Sequence, residues 1–256
     1  MRKSVIMTKK FGGEFMKILL SNDDGINGTG LWAMAKALKK NFEVAIAAPM
    51  YQQSGMSHAL TLGRKLEYRR VDDLNFETWT IDGTPTDCVK FYLEAIDTDR
   101  KICAVISGIN HGANLATDVL YSGTVGAALE GYLHDIPTLA VSLDIHSEIT
   151  FEQAAEDAAK YFSAQLQTGK NFFHNINFPK KYRAGYAEFK TARLGRRDYI
   201  NAFVTHENDD GQVFFEIRGE IADIDDGEGT DIHAVNQGYV SVTPLHFDIS
   251  DLKGEI

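Results

Sequence analysis

Apolar and polar positions follow one another along the chain in two rhythms. Short continuous apolar runs at Ile18–Leu20, Phe42–Ala48, Ile102–Ile106, Pro137–Leu143 and Phe172–Phe178 suit strands of a parallel sheet buried on both faces. Between the runs, apolar side chains recur at helical spacing: Leu31, Met34, Ala35 and Leu38, then Val89, Tyr92, Leu93 and Ile96, then Val125, Leu129, Tyr132 and Leu133, and last Phe151, Ala154, Ala155, Ala158, Phe162 and Leu166. Thr84-Pro85-Thr86-Asp87 is a helix start, with a threonine cap, proline at the first helical position and a carboxylate at the positive end. This alternation predicts a doubly wound, mostly parallel α/β sheet with a core over residues 16–180. Leu66–Val71 and Phe76–Ile81 alternate as two strands of a hairpin outside the parallel order. From residue 181 the pattern changes. Phe189–Leu194, Tyr199–Thr205, Val213–Ile217 and Tyr239–Thr243 read as strands without intervening helices, and the acidic stretch Asp223–Asp231 as a solvated loop. Residues 181–256 are therefore expected to form a β-rich C-terminal arm that completes the domain. Its unpaired edges and its Phe203, Phe214, Phe215 and Tyr239 call for a second subunit. Residues 1–15 read as a ragged extension, with Met16 an alternative start just before the first strand.

Polar clusters follow the strand ends, where ligands collect in open α/β sheets. The first is Asn22-Asp23-Asp24-Gly25. Two adjacent carboxylates repel unless a cation, a proton or solvent relieves them, so this stretch is either a site for a hard metal ion or a plain turn. The glycines of Ile26-Asn27-Gly28-Thr29-Gly30 are in the wrong order for a dinucleotide fingerprint. In Gln52–His58, Ser54 offers an oxygen to the same end of the sheet or lies in a simple turn. In Ser107–Asn114, Asn110 offers a neutral amide oxygen that suits magnesium, calcium or manganese, and Asn114 is a substrate or turn residue. Tyr121-Ser122-Gly123-Thr124 opens a helix. That end is either a phosphate site or an ordinary cap.

Composition narrows the partners. With 256 residues, 44% of them hydrophobic, the chain can bury one large core, and its net charge of −10 disfavours a nucleic-acid polymer or an anionic membrane. Cys88 and Cys103 lie in apolar stretches without metal-ligand spacing, which points to reduced thiols and a cytoplasmic location. No apolar run is long enough to span a bilayer.

Together, Asn22-Asp23-Asp24-Gly25, Ser54-Gly55, Gly83–Lys90, Ser107-Gly108-Ile109-Asn110, Tyr121–Val125 and Tyr239–Leu245 resemble, in order, the motifs of the SurE family of survival proteins, known as metal-dependent nucleoside monophosphate phosphatases. The resemblance implies a three-layer αβα, Rossmann-like fold and hydrolysis of nucleoside 5′- and 3′-monophosphates, with short polyphosphate as a further substrate. It implies one divalent cation per subunit, Mg2+ or Mn2+, held by Asp23, Asp24, Ser54 and Asn110. Asp23, Asp24 and Asn110 then carry the catalysis. Asn22, Ser107, Gly108, Asn114, Ser122, Gly123 and Thr124 bind the substrate and its phosphate. Attack by water with Asp23 as base, or by Asp23 itself, stays open. His111 is eligible as a proton donor, and His58 is expected to be structural. The resemblance also implies a homodimer or homotetramer assembled through the C-terminal segment. Rival readings are a metal- and nucleotide-binding stress module without turnover and a nucleotide-sugar transferase, for which the tail offers no second donor-binding half.

Overall fold

The computed structural model describes residues 16–71 and 75–250; the extension expected at residues 1–15 lies outside them. In chain order the elements are β1 (Lys17–Ser21), α1 (Thr29–Leu38), β2 (Glu43–Pro49), β3 (Tyr68–Arg70), β4 (Glu77–Ile81), α2 (Pro85–Phe91), β5 (Ile102–His111), α3 (Gly123–Leu133), β6 (Thr138–Leu143), α4 (Phe151–Leu166), β7 (Phe173–Phe178), β8 (Phe189–Thr191), β9 (Arg196–Ile200), β10 (Phe203–Glu207), β11 (Val213–Ile217), β12 (Glu220–Asp225), α5 (Asp231–Asn236) and β13 (Val240–Pro244). Nine strands form one sheet in the order β3-β4-β2-β1-β5-β6-β7-β13-β8. The run from β4 to β7 is parallel.

The sheet is buried on both faces, which is why its strands are continuously apolar rather than alternating. Ile18 and Leu20 of β1 and Val44, Ile46 and Ala48 of β2 pack with α1 and α4. Leu19, Ala45 and Ala47 point the other way, toward Val89 and Tyr92 of the α2 segment. Each fully buried leucine or isoleucine contributes about 2 kcal/mol, so the two cores fix the strand register. β1 is central, with β2 on one side and β5 on the other. The chain thus winds in opposite directions from β1, and such a switch point opens a crevice outside the carboxyl ends of the strands.

Three expectations are corrected. β4 joins the parallel set beside β2, and of this pair only β3, at the sheet edge, runs antiparallel, so the pair does not stand outside the sheet's order. Ser107–His111 is not a loop but the end of β5. It stays in the sheet because Gly108, at φ +133°, lets the Val141 carbonyl approach to 2.3 Å from where a Cβ would stand, and the register against β6 slips between Ser107 and Asn110. Third, the segment after residue 181 divides. β13 pairs antiparallel with β7 and carries β8 at the sheet edge, and α5 buries Ile232 and Val235 against Leu115 and Ala116. Two hairpin pairings, β9 with β12 and β10 with β11, form the part outside the main sheet. The acidic stretch enters β12 and the start of α5, because Asp223 finds a cation: Arg197 bridges it and Asp118 at 2.7 and 3.0 Å.

Candidate active site

β1 delivers Asn22, Asp23 and Asp24 to the crevice. The Asn22 side-chain nitrogen donates to the Gly25 carbonyl at 2.9 Å and closes the turn. Its amide oxygen is buried without a hydrogen-bond partner. Asp23 is 5% exposed and meets the start of α3, where Thr124 donates its hydroxyl to one carboxylate oxygen at 2.6 Å and its backbone N–H to the other at 3.2 Å. A helix N-terminus favours an anion, yet burial outweighs it. The Asp23 carboxyl is pushed up to about 6 by burial, against the pull of Thr124 and with the help of the neighbouring Asp24 charge. Burial also raises Asp24, opposed by the His111 backbone N–H at 3.3 Å.

Two further strand ends converge here. After β2, the Gln53 N–H donates to the Asp23 carbonyl at 2.7 Å, which brings the adjacent Ser54 to the crevice; Ser54 is exposed and accepts from the Gln52 side chain at 3.1 Å. At the end of β5, half-buried Asn110 donates its amide N–H to the Gly112 carbonyl at 2.8 Å, so its oxygen is the atom left for another partner. Gly123 is where α3 touches the loop: a Cβ there would stand 3.0 Å from the Asp23 Cβ and 3.2 Å from the Gln53 carbonyl oxygen.

The other residues singled out from the sequence differ in their surroundings. Ser122 caps α3, its hydroxyl accepting from Val125 N–H at 3.2 Å. Gly108 is explained by its approach to β6. Asn114 is buried against β6 and β7, where its side chain donates to Ser142 at 2.8 Å and Asn177 accepts its backbone N–H at 2.7 Å. The Ser107 hydroxyl is buried without a partner. Thr84 and Asp87 form a reciprocal cap on α2. His111 is exposed at the rim.

Sequence reasoning missed a polar group next to this site. Glu130 on α3 is 3% exposed and holds His58 at 2.8 Å and Lys90 at 3.3 Å. A carboxylate within an otherwise apolar helix was the available signal. Glu94, Glu130 and His134 bring their ligand atoms within 4.8 Å of one another, but Lys90 already reaches Glu94 at 2.6 Å as well as Glu130, so the cluster is an ion network completed by a lysine.

The family model for the survival protein SurE matches residues 18–201. Among curated relatives, the 5′-nucleotidase SurE of Caldanaerobacter subterraneus subsp. tengcongensis is 40% identical over 240 residues, covering 92% of this chain and 93% of that one. That of Desulforamulus reducens is 42% identical over 243 residues, covering 92% and 94%. A solved structure, the SurE protein of Aquifex aeolicus, superposes with a TM-score of 0.79 at 37% identity and covers 93% of this chain and 96% of that one. The match runs from β1 through the crevice and on into the hairpins, and by it the chain belongs to the SurE family.

Proposed function

We propose that the chain is a divalent-cation-dependent phosphomonoesterase that converts nucleoside 5′- and 3′-monophosphates to nucleoside and phosphate, with short polyphosphate as a further substrate. The name 5′-nucleotidase carried by its relatives supports this reading. The observation that carries it is a pair of adjacent carboxyls, one buried and one half-buried, both raised in pKa at the sheet's switch point. A hard cation fits them: the nearby donors are all oxygens, two negative charges await neutralisation, and the Asn22 amide oxygen is a buried orphan. Asp23, Asp24, Ser54 and Asn110 would hold it, and this donor set suits Mg2+ or Mn2+. When bound, the cation supplies charge neutralisation and polarises a phosphoryl oxygen.

The chain's own groups do the rest. The start of α3 at Ser122–Thr124 receives phosphate charge through its dipole. Thr124 fixes the orientation of Asp23. Asp23, held in place by Thr124, is the carboxylate placed to take a proton from the attacking water. As oxygen attacks phosphorus and the ester P–O bond breaks, the departing nucleoside oxygen takes a proton from the rim, where His111 is the nearest titratable candidate on β5.

Further support concerns assembly and compartment. Phe203, Phe215 and Ile217 on the β10–β11 hairpin are 63%, 67% and 74% exposed, an apolar surface that suits burial in a homodimer or homotetramer. Cys88 and Cys103 are both free thiols, in keeping with a reducing cytoplasm, and no helix among the described residues is long and apolar enough to cross a membrane. The test is phosphate release from a panel of nucleoside 5′- and 3′-monophosphates with magnesium, manganese, cobalt or EDTA. Release with a cation and none with EDTA is expected; no release from any nucleotide under any condition contradicts the reading.

A further inference from the structure

The loop that carries Ser54 leaves the sheet after β2. It lies along one face of α3, and the contacts fall at helical spacing. Gly123 meets the Gln53 carbonyl, Gly126 meets Ser57, and Glu130 meets His58; positions i, i+3 and i+7 share one helix face. At Gly126 the approach is extreme, for a Cβ there would stand 2.1 Å from the Ser57 carbonyl oxygen. Ser57, at φ +54°, adds two bonds to the turn before α3: its N–H donates to Tyr121 at 2.9 Å and its hydroxyl to Leu120 at 2.7 Å. The far end of the loop is gripped by α2, where Thr84 donates to the Ala59 carbonyl at 2.7 Å and Asp87 accepts from Thr61 at 3.0 Å.

The His58–Glu130 pair is the ionisable link in this seam. Its Nε2 to Oε2 distance is 2.8 Å, the Glu130 side chain is 4% exposed and that of His58 28%. Lys90, on α2, holds the other carboxylate oxygen. Glu130 therefore ties together the helix that starts at the site, the helix that grips the far end of the loop, and the loop itself. Between these fixed points lie Ser54 and Gly55, the latter at φ +73° and with nothing near its missing Cβ. A ligand on a loop with so free a tip owes its position to its anchors.

We propose that His58 and Glu130 are positioning residues: by pinning the loop to α3 they set where Ser54 stands relative to Asp23, and thereby the cation affinity of the site. The inference rests on the cation site proposed above. Groups behind metal ligands typically change affinity 10- to 100-fold when removed. His58 acts through a loop rather than on the ligand itself, so the lower end, about tenfold, is expected.

The experiment is direct Mn2+ binding by the purified full chain, followed by the electron paramagnetic resonance signal of free Mn2+, without substrate. His58→Ala is expected to weaken binding about tenfold with its melting temperature within a few degrees of wild type, and Glu130→Gln to act in the same direction. His58→Gln, which keeps an amide donor for Glu130, should restore most of the affinity. It also serves if the alanine variant does not fold. A merely structural pair would lower the melting temperature and leave Mn2+ affinity unchanged, and that result overturns the inference while leaving the cation site standing. Wild-type chain that binds no Mn2+ overturns both.

Discussion

Replacing Asp23 by asparagine should make the metal-free protein more stable at neutral pH while removing its activity. In the folded chain this carboxyl titrates near 6, against an ordinary value of 3.8. Keeping it ionised at neutral pH therefore disfavours the fold by about 3 kcal/mol. The sign follows from the direction of the shift. Because the folded pKa lies above the unfolded one, the fold binds the proton more tightly, the penalty is absent below about pH 4, and it grows as pH rises toward 6 and is constant above. Asparagine removes the charge and its repulsion with Asp24. It also weakens the two bonds from Thr124, at a cost of about 1 to 2 kcal/mol. The net gain is about 1 to 2 kcal/mol at neutral pH, turning into a loss of similar size near pH 4. Urea unfolding in EDTA at the two pH values measures it. Manganese should then stabilise the wild type by mass action and leave the variant unmoved. An Asp23→Asn protein that is less stable than wild type by the same amount at both pH values would refute the reasoning, since the carboxylate would then be no burden to the fold.

Thr124→Val removes the hydroxyl bond that holds the Asp23 pKa down, so in EDTA the rise of the Asp23 penalty with pH should extend to higher pH; an unmoved pH dependence of urea unfolding would make the hydroxyl a bystander. Ser54→Ala and Asn110→Ala remove neutral donors and should weaken cation affinity, less than loss of either aspartate, as read by manganese titration of activity. Excising the hairpin Phe203–Ile217 and closing it with a short glycine-serine link should lower the light-scattering mass from dimer or tetramer to monomer. A full-length chain that is monomeric at micromolar concentration would count against that interface. Truncation at Pro179 would be a poor version of this test, because it removes β13 from beside β7.

Much of this was legible in the sequence for a physical reason. A strand covered on both faces must be apolar throughout, so β1, β2, β5, β6 and β7 announce themselves, and the switch point then makes the polar residues after β1 notable. What stayed hidden is what depends on neighbours far along the chain. Ser107–His111 looks like a loop because it is polar and glycine-bearing, and only the approach of Val141 shows why a strand needs Gly108 there. The place of β13 in the main sheet is not legible, because no pattern within Val240–Pro244 tells which strand it pairs with. In the candidate site, the place of Asp23 and Asp24 just after β1 is legible in the sequence, but the contact that shapes Asp23 comes from Thr124, 101 residues away. The sequence around His58 does not disclose its partner, because Glu130 lies 72 residues away.

The most direct test of the central claim, that paired carboxyls at the end of β1 hold a cation for phosphate ester hydrolysis, is a manganese titration of phosphate release from AMP by wild type, Asp23→Asn and Asp24→Asn in parallel. Wild type should show saturable activation from zero, and both variants should stay inactive at manganese concentrations that saturate wild type while keeping a wild-type far-ultraviolet circular dichroism spectrum. Wild-type turnover in either folded variant, or full turnover by wild type in EDTA, would contradict it.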